Sequence, residues 1–451
     1  MKIHILGICG TFMGSIAVLA KELGHEVSGS DANVYPPMST QLRDQGIELM
    51  EGYAKSHLSP APDMVVVGNT LSRGNPAIEY LLDANLHYQS GPEWLADNVL
   101  QNRHVLAVAG THGKTTTSSM LAWILEAAGR TPGFLIGGIV ENFGVSARGG
   151  DSNLFVVEAD EYDTAFFDKR SKFIHYHPRT VVINNIEYDH ADIFDDIDAI
   201  RREFHRMIRI VPASGQIIRQ AEDVEIDRVL EQECWTPIVT FGGEKGQWSA
   251  RPGQDDYSSF DVCFTGKHIA EVNWGLIGKH NAENALAAIA AAAHVGVEPA
   301  EACKALASFK SVKRRLELLD CVNGISIYDD FAHHPTAINL TLAALRAKVG
   351  SEQRIIAVLE PRSNTMRMGV HRDSLAAALT VADKVLMFEP ADLNWDLGES
   401  LAELGDKCTI FKEVDGIVTS LAEDSRAGDQ ILVMSNGGFQ GIHAKLLKKL
   451  K

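Results

Sequence analysis

Ala109-Gly110-Thr111-His112-Gly113-Lys114-Thr115-Thr116-Thr117 is the stretch on which the reading of the fold turns. The apolar run before it, His104 to Val108, reads as a buried strand. After it, Ser118 to Ala128 carries apolar residues at helical spacing and stops at Gly129, where a left-handed residue ends a helix. Strand, glycine turn, Lys-Thr and helix make the arrangement that cradles phosphate. The glycines let backbone N–H groups turn inward, and the helix N-terminus adds positive potential. In it Lys114 reaches the β- and γ-phosphates and the Thr115 hydroxyl ligates Mg²⁺. The common pattern has a glycine where Val108 stands, so this loop is a shortened G-x-x-G-K-T.

At 451 residues the chain is long enough for two to four domains, each with its own core. Its 42 basic and 59 acidic residues give a formal charge of −17. That balance argues against general binding of nucleic acid or of an anionic membrane. The six cysteines are scattered without a C-x-x-C pair and read as reduced thiols of a cytoplasmic protein. No signal peptide is visible, and the longest apolar tract, Ala285 to Ala293, is too short to span a bilayer.

Residues 1–100 read as an α/β unit. A strand from Ile3 to Leu6 leads into Gly7-Ile8-Cys9-Gly10-Thr11-Phe12-Met13-Gly14 and a helix, and a second strand, Glu26 to Ser30, ends at Asp31. This is the outline of half a Rossmann fold, with Cys9 where the dinucleotide fingerprint needs glycine. The loop is either a tight strand–helix turn or a seat for a uridine diphosphate-type ligand. A further loop, Gly68 to Pro76, follows the strand Met64–Val67.

From 101 to 312 runs a central unit opened by the phosphate loop. Buried strands at Leu154–Val157 and Val181–Ile183 deliver Glu158-Ala159-Asp160-Glu161 and Asn184-Asn185-Ile186-Glu187-Tyr188-Asp189-His190. If these strands are parallel to His104–Val108, both acidic ends emerge beside the phosphate loop. Glu158 is then the first candidate carboxylate for Mg²⁺ and His190 a candidate for a second site. Residues 313–451 repeat strand–helix alternation, with Asp, His, Arg and Gly on three strand-end loops.

Over its whole length the chain resembles the Mur ligase family of ATP-dependent amide-bond-forming enzymes. The resemblance is carried by Gly110–Thr117, Glu158-Ala159-Asp160-Glu161, Asp189-His190, His280-Asn281-Ala282-Glu283-Asn284, Arg314-Arg315 and Asp330-Phe331-Ala332-His333-His334-Pro335. It implies an α/β protein of three domains: a Rossmann-like N-terminal domain (1–100) for a UDP-sugar, a central P-loop ATPase-type domain (101–312), and a Rossmann-like C-terminal domain (313–451) that binds peptide and closes. ATP would lie on Gly110, Thr111, His112, Gly113, Lys114, Thr115, Thr116, His280, Asn281, Arg315 and Asp330. Mg²⁺ would be held by Thr115 and Glu158, with His190 at a second ion, and Lys114, Glu158 and His190 would be catalytic. The UDP-sugar would meet Gly10, Thr11, Met13, Gly14, Asp31, Asn69, Thr70, Ser72 and Arg73.

Four stretches set the chain apart from the family's alanine-adding branch: Gly68–Pro76, Ser90–Leu95, Leu359–Met366 and Met434–Phe439. They imply a cytoplasmic enzyme of cell-wall peptide recycling. It would join the lactyl carboxylate of UDP-N-acetylmuramate, through an acyl phosphate, to the amine of L-alanyl-γ-D-glutamyl-meso-diaminopimelate, with tetra- and pentapeptides left open. His334, Arg362, Arg367, Ser435 and Asn436 are the candidates for the peptide. The alternatives are the alanine ligase itself and a nucleotide-dependent sensor of muramyl precursors without turnover. Two features depart from the family pattern: no lysine lies between Arg209 and Gln220 to support a second metal, and the span Asp163–Thr180 is longer than in the alanine-adding relative.

Overall fold

Short runs of aliphatic and β-branched residues such as Met64–Val67, Thr180–Ile183 and Ile355–Leu359 are buried at every position, as strands covered on both faces must be. In the computed structural model, which describes residues 1–34 and 38–451, these runs assemble three sheets.

The first sheet is wholly parallel, in the order Glu48–Glu51, Glu26–Asp31, Lys2–Leu6, Met64–Val67, Tyr88–Ser90. Strand order reverses between Lys2–Leu6 and Met64–Val67, and the loops that follow these two strands are Gly7–Gly10 and Gly68–Asn75. Open α/β sheets bind ligands at such a reversal. The helix Thr11–Glu22 covers this sheet and also leans on the central unit. Ser15 and Ser146 share a hydrogen bond of 3.0 Å, and the Gly149 N–H donates to Glu22 at 2.7 Å.

The second sheet has ten strands. His104–Ala109 lies between Leu154–Glu158 and Thr180–Ile183, all three parallel, so the two acidic strand ends do flank the phosphate loop. Gly133–Val140 pairs with the outer side of Leu154–Glu158 and turns back antiparallel as Val145–Arg148. At the other edge Trp248–Pro252, Ser259–Phe264 and Lys267–Asn273 form an antiparallel extension. Helix Lys279–His294, in which alanines let backbones approach closely, packs beside helix Lys114–Ala127. Each fully buried Leu, Ile or Phe of this core contributes about 1.5–3 kcal/mol.

The third sheet runs Glu317–Val322, Ile325–Asp330, Gln430–Met434, Ile355–Leu359, Lys384–Phe388, Cys408–Phe411. Its first pair is antiparallel and the rest parallel. Among the described residues no helix is long and apolar enough to cross a membrane.

One boundary differs from the sequence reading. The helix after the phosphate loop begins at Lys114, not Ser118. Apolar periodicity starts only where apolar residues start, whereas the backbone becomes helical immediately after Gly113.

Candidate functional site

Two glycines give the phosphate loop its shape. Gly110 has φ +129° and Gly113 φ +79°. A Cβ on Gly110 would stand 3.0 Å from the Asn185 backbone, and one on Gly113 would stand 2.5 Å from the Asn284 side chain. Neither conformation nor clearance suits another residue. The loop is tied to the end of strand Thr180–Ile183: the Thr111 N–H donates to the Asn185 carbonyl (3.1 Å) and the His112 N–H to Asn185 Oδ1 (2.8 Å). The Asn184 amide donates to the His112 carbonyl (3.2 Å) and Thr117 Oγ1 (3.1 Å).

Lys114 is buried, and its Nζ donates to the Gly110 carbonyl (2.6 Å) and to Glu161 Oε2 (3.1 Å), with Asp160 at 3.8 Å. Burial disfavours its charge, but Glu161, Asp160 and Glu158 more than compensate and leave the ammonium harder to deprotonate than usual. Next to it, Thr115 Oγ1 donates to Glu158 Oε1 at 2.8 Å, and the Gly137 N–H donates to Glu158 Oε2 at 2.7 Å. Burial, and then the neighbouring Asp160, raise the Glu158 carboxyl above its ordinary range. A hydroxyl and a carboxylate crowded by negative charge are hard oxygen donors in need of a cation. That donor set fits Mg²⁺, which takes one or two protein carboxylates and fills its shell with phosphate and water.

Gly137 was not singled out by the sequence reading, yet a Cβ there would stand 2.9 Å from Glu158 Oε2. Gly137→Ala is therefore expected to push the carboxylate aside and lower turnover by about ten- to a hundredfold, the scale of a small displacement in a catalytic site. Initial rates beside an almost unchanged melting temperature would check it.

Glu161 joins the two halves of the site. Its Oε2 meets Lys114, and its Oε1 lies 3.2 Å from His190 Nε2. Burial opposes its charge, but Lys114 and His190 hold its carboxyl at about 2. His190, disfavoured by burial as a cation, is raised by the bond to Glu161. Asp189 accepts the Thr365 hydroxyl, from a short helix of the third unit, at 2.6 Å and the His190 N–H at 2.7 Å.

The third unit supplies Arg315, whose Nη2 is 3.4 Å from Thr115 Oγ1 and whose guanidinium lies over the Phe331 ring at 5.2 Å. Asp330 accepts the backbone N–H groups of Leu316 (2.6 Å) and Ala332 (2.7 Å), so it shapes the turn that delivers Arg315. Burial and the Arg315 charge push His280 down to about 4. The Asn281 side chain donates to the Ile277 carbonyl at 2.8 Å.

His112, Glu187 and His334 also converge, their ligand-type atoms all within 4.8 Å. Glu187 Oε2 lies 3.5 Å from His112 Nε2 and 3.3 Å from His334 Nδ1. The gap is not a vacant cage: the Thr336 hydroxyl donates to Glu187 Oε2 at 2.7 Å, and the Thr336 N–H donates to His334 Nδ1 at 3.3 Å. The cluster links the central and third units, with Glu187 and His334 engaged by Thr336 and His112 Nε2 left without a hydrogen bond. Burial, with His112 beside it, drives His334 to about 3, so its neutral ring is not what holds Glu187. Burial also opposes the Glu187 charge, but the His112 contact and the Thr336 hydroxyl bring its carboxyl to about 2. A carboxyl so depressed contributes stability that is present above its ordinary value of 4.5 and is lost as pH falls toward 2. Wild type and Glu187→Gln are thus expected to differ in melting temperature at pH 6 and to converge between about pH 4.5 and pH 2, as calorimetry at a pH series would show.

The remaining candidates fall in two places. Arg362 lies against Gly437, where a Cβ would stand 2.3 Å from Arg362 Nε. Ser435 Oγ donates to Glu360 Oε2 at 2.5 Å, and Asn436 Oδ1 is buried without a partner. Arg367 instead pairs with Asp392 at 3.0 Å. In the first unit, Asp31 accepts the N–H groups of Cys9 (2.9 Å) and Asn33 (3.0 Å) and so braces the glycine loop. Gly10 and Thr11 begin the helix; a Cβ on Gly14 would stand 2.5 Å from Met38 Sδ. Met13 is buried, and a Cβ on Gly68 or Gly91 would strike it, so it belongs to the core below the loop. Asn69, Thr70, Ser72 and Arg73 lie on the facing loop, where Arg73 forms a two-pronged pair with Glu79 at 2.9 Å.

Family models match three segments: residues 2–103 match "Mur ligase family, catalytic domain", 108–292 "Mur ligase middle domain", and 314–437 "Mur ligase, glutamate ligase domain". The chain is 56% identical, over all of its length and 98% of the relative, to an Escherichia coli protein named UDP-N-acetylmuramate–L-alanyl-γ-D-glutamyl-meso-2,6-diaminoheptandioate ligase. It is 30% identical, over 96% of its length and 95% of the relative, to a UDP-N-acetylmuramate–L-alanine ligase of Clostridium botulinum. Among solved structures, a murein peptide ligase from Psychrobacter arcticus superposes with a TM-score of 0.77 at 49% identity, covering 100% of this chain and 98% of that one. With three consecutive segments matched and this identity from end to end, the chain belongs to the Mur ligase family.

Proposed function

We propose that the protein is an ATP-dependent ligase that joins the lactyl carboxylate of UDP-N-acetylmuramate to the alanyl amine of L-alanyl-γ-D-glutamyl-meso-diaminopimelate. The observation that carries this reading is the convergence of Lys114, Thr115 and Glu158 with Arg315 from the third unit, in a chain 56% identical end to end to a ligase named for those substrates. In this reading residues 1–100 hold the UDP-sugar, 101–312 the ATP, and 313–451 the peptide. Six free cysteines support a reducing, cytoplasmic setting.

The residues suit a carboxylate-activation reaction. Lys114 and Arg315 face the position of the γ-phosphoryl group and spread the charge that grows as the sugar's carboxylate attacks it. Mg²⁺ held by Thr115 and Glu158 would neutralise phosphate oxygens. The amine then attacks the acyl phosphate, and phosphate leaves. His190, fixed by Glu161, supports the same edge. Arg362 offers the peptide a cation, while buried Ser435, bonded to Glu360 and Gly437, holds the loop that carries Asn436 beside it.

ADP release with UDP-N-acetylmuramate and acceptors from alanine to pentapeptide tests the reading. Turnover with tripeptide far above that with alanine is expected. Turnover with alanine alone would move the protein to the alanine-adding branch, and nucleotide binding without ADP release would make it a sensor.

A further inference from the structure

The long span after Asp163 folds as a small hairpin, Asp163–Ala165 against Asp168–Ser171, followed by a turn of 3₁₀ helix, Lys172–His175. The hairpin returns the chain to the site. The Ser171 hydroxyl donates to the Glu161 carbonyl at 2.6 Å, and the Lys172 N–H donates to the Tyr162 carbonyl at 3.0 Å. The Lys172 side chain is thereby 7% exposed. A buried ammonium wants hydrogen-bond acceptors, yet among the described residues this one has none. It lies over the rings of Phe12 (4.9 Å) and Tyr162 (5.3 Å), with Asp160 Oδ2 at 3.8 Å.

Its position gives that vacancy a meaning. Phe12 opens the helix after the glycine loop of the first unit, and the other oxygen of Asp160 lies 3.8 Å from Lys114 Nζ. Asp160 thus bridges two ammoniums, one facing the phosphoryl site and one facing the UDP-sugar loop. We propose that Lys172 grips the carboxylate of the sugar acid and aligns it with the phosphoryl group on Lys114. This rests on the amide-ligase reading. The incoming carboxylate takes the place of Asp160, whose side chain is a quarter exposed. The step served is balanced without a proton: a carboxylate oxygen bonds to the γ-phosphorus, the bond to the β,γ-bridging oxygen breaks, and ADP leaves with that electron pair. Lys172 stays an ammonium throughout.

Calorimetric titration of wild type, K172Q and K172R with UDP-N-acetylmuramate and with UDP-N-acetylglucosamine, which lacks the acid arm, tests this without ATP present. Wild type is expected to favour the acid. K172Q is expected to lose about ten- to a hundredfold for the acid, the scale of a charged hydrogen bond, and less than about twofold for the neutral sugar. K172R should recover most of the loss, and in steady state the KM for the acid should rise while that for ATP stays. Equal losses for both sugars, or none, overturn the assignment of Lys172 alone. If K172Q does not fold, wild type with no preference for the acid overturns it just as well. Wild type that binds neither sugar removes the amide-ligase reading and this inference together.

Discussion

Replacing Lys114 with methionine is expected to lower ATP-dependent turnover sharply and to destabilise the protein at the same time. Loss of a fixed charge aimed at a developing phosphoryl negative charge costs about 10²–10³-fold in rate. The second effect follows from the surroundings. Lys114 is buried among Glu158, Asp160 and Glu161, and its removal leaves Glu161 a buried anion with His190 as its remaining charged contact. Breaking a buried pair from one side costs about 3–5 kcal/mol. Kinetics and thermal melting of the K114M protein should therefore move together. Added Mg²⁺ should restore part of the melting temperature, since a cation can answer the same carboxylates, and should restore none of the rate. A variant with ordinary turnover would remove Lys114 from the chemistry.

Glu161→Gln is expected to lower turnover as well, although Glu161 need touch neither nucleotide nor metal. It is a positioning residue: one oxygen fixes Lys114 and the other fixes His190. Partners of this kind typically cost about 10–100-fold in activity when removed. A role confined to packing would leave His190 unmoved, so the informative readout is its imidazole titration by NMR. In wild type Glu161 raises that pKa against burial. In the variant burial is left to act with less opposition, and the value should fall. Turnover reduced with the titration unchanged would contradict the assignment.

Much of this arrangement is legible in the sequence because phosphate chemistry demands particular atoms at particular spacings. Gly110, Gly113, Lys114 and Thr115 declare a loop whatever surrounds it, and parallel pairing of three buried apolar runs then brings Glu158 and His190 to the same edge. The parts that stayed hidden act through backbone or through long-range approach. Gly137 contributes an N–H and the absence of a side chain, and nothing in its neighbours signals that Glu158 lies above it. Thr365 meets Asp189 only because the central and third units come together. Asp31 stands out in the sequence by its place after a strand, but that place does not reveal that its oxygens brace the loop through the N–H groups of Cys9 and Asn33. The hairpin of Asp163–Ser171 had no expected role, because its polar residues show no periodicity and its value lies in where it returns Lys172.

The helix Thr11–Glu22 rests on the hairpin Gly133–Arg148, joined through Ser15 to Ser146 and Glu22 to Gly149. From that same hairpin hangs the Gly137 N–H that steadies Glu158. The glycine loop that opens this helix and the Glu158 carboxylate are thus braced against one hairpin. A wedge driven under that helix would tilt the carboxylate without ever touching the triphosphate, which makes the seam a lever for inhibitors that need not compete with cellular ATP.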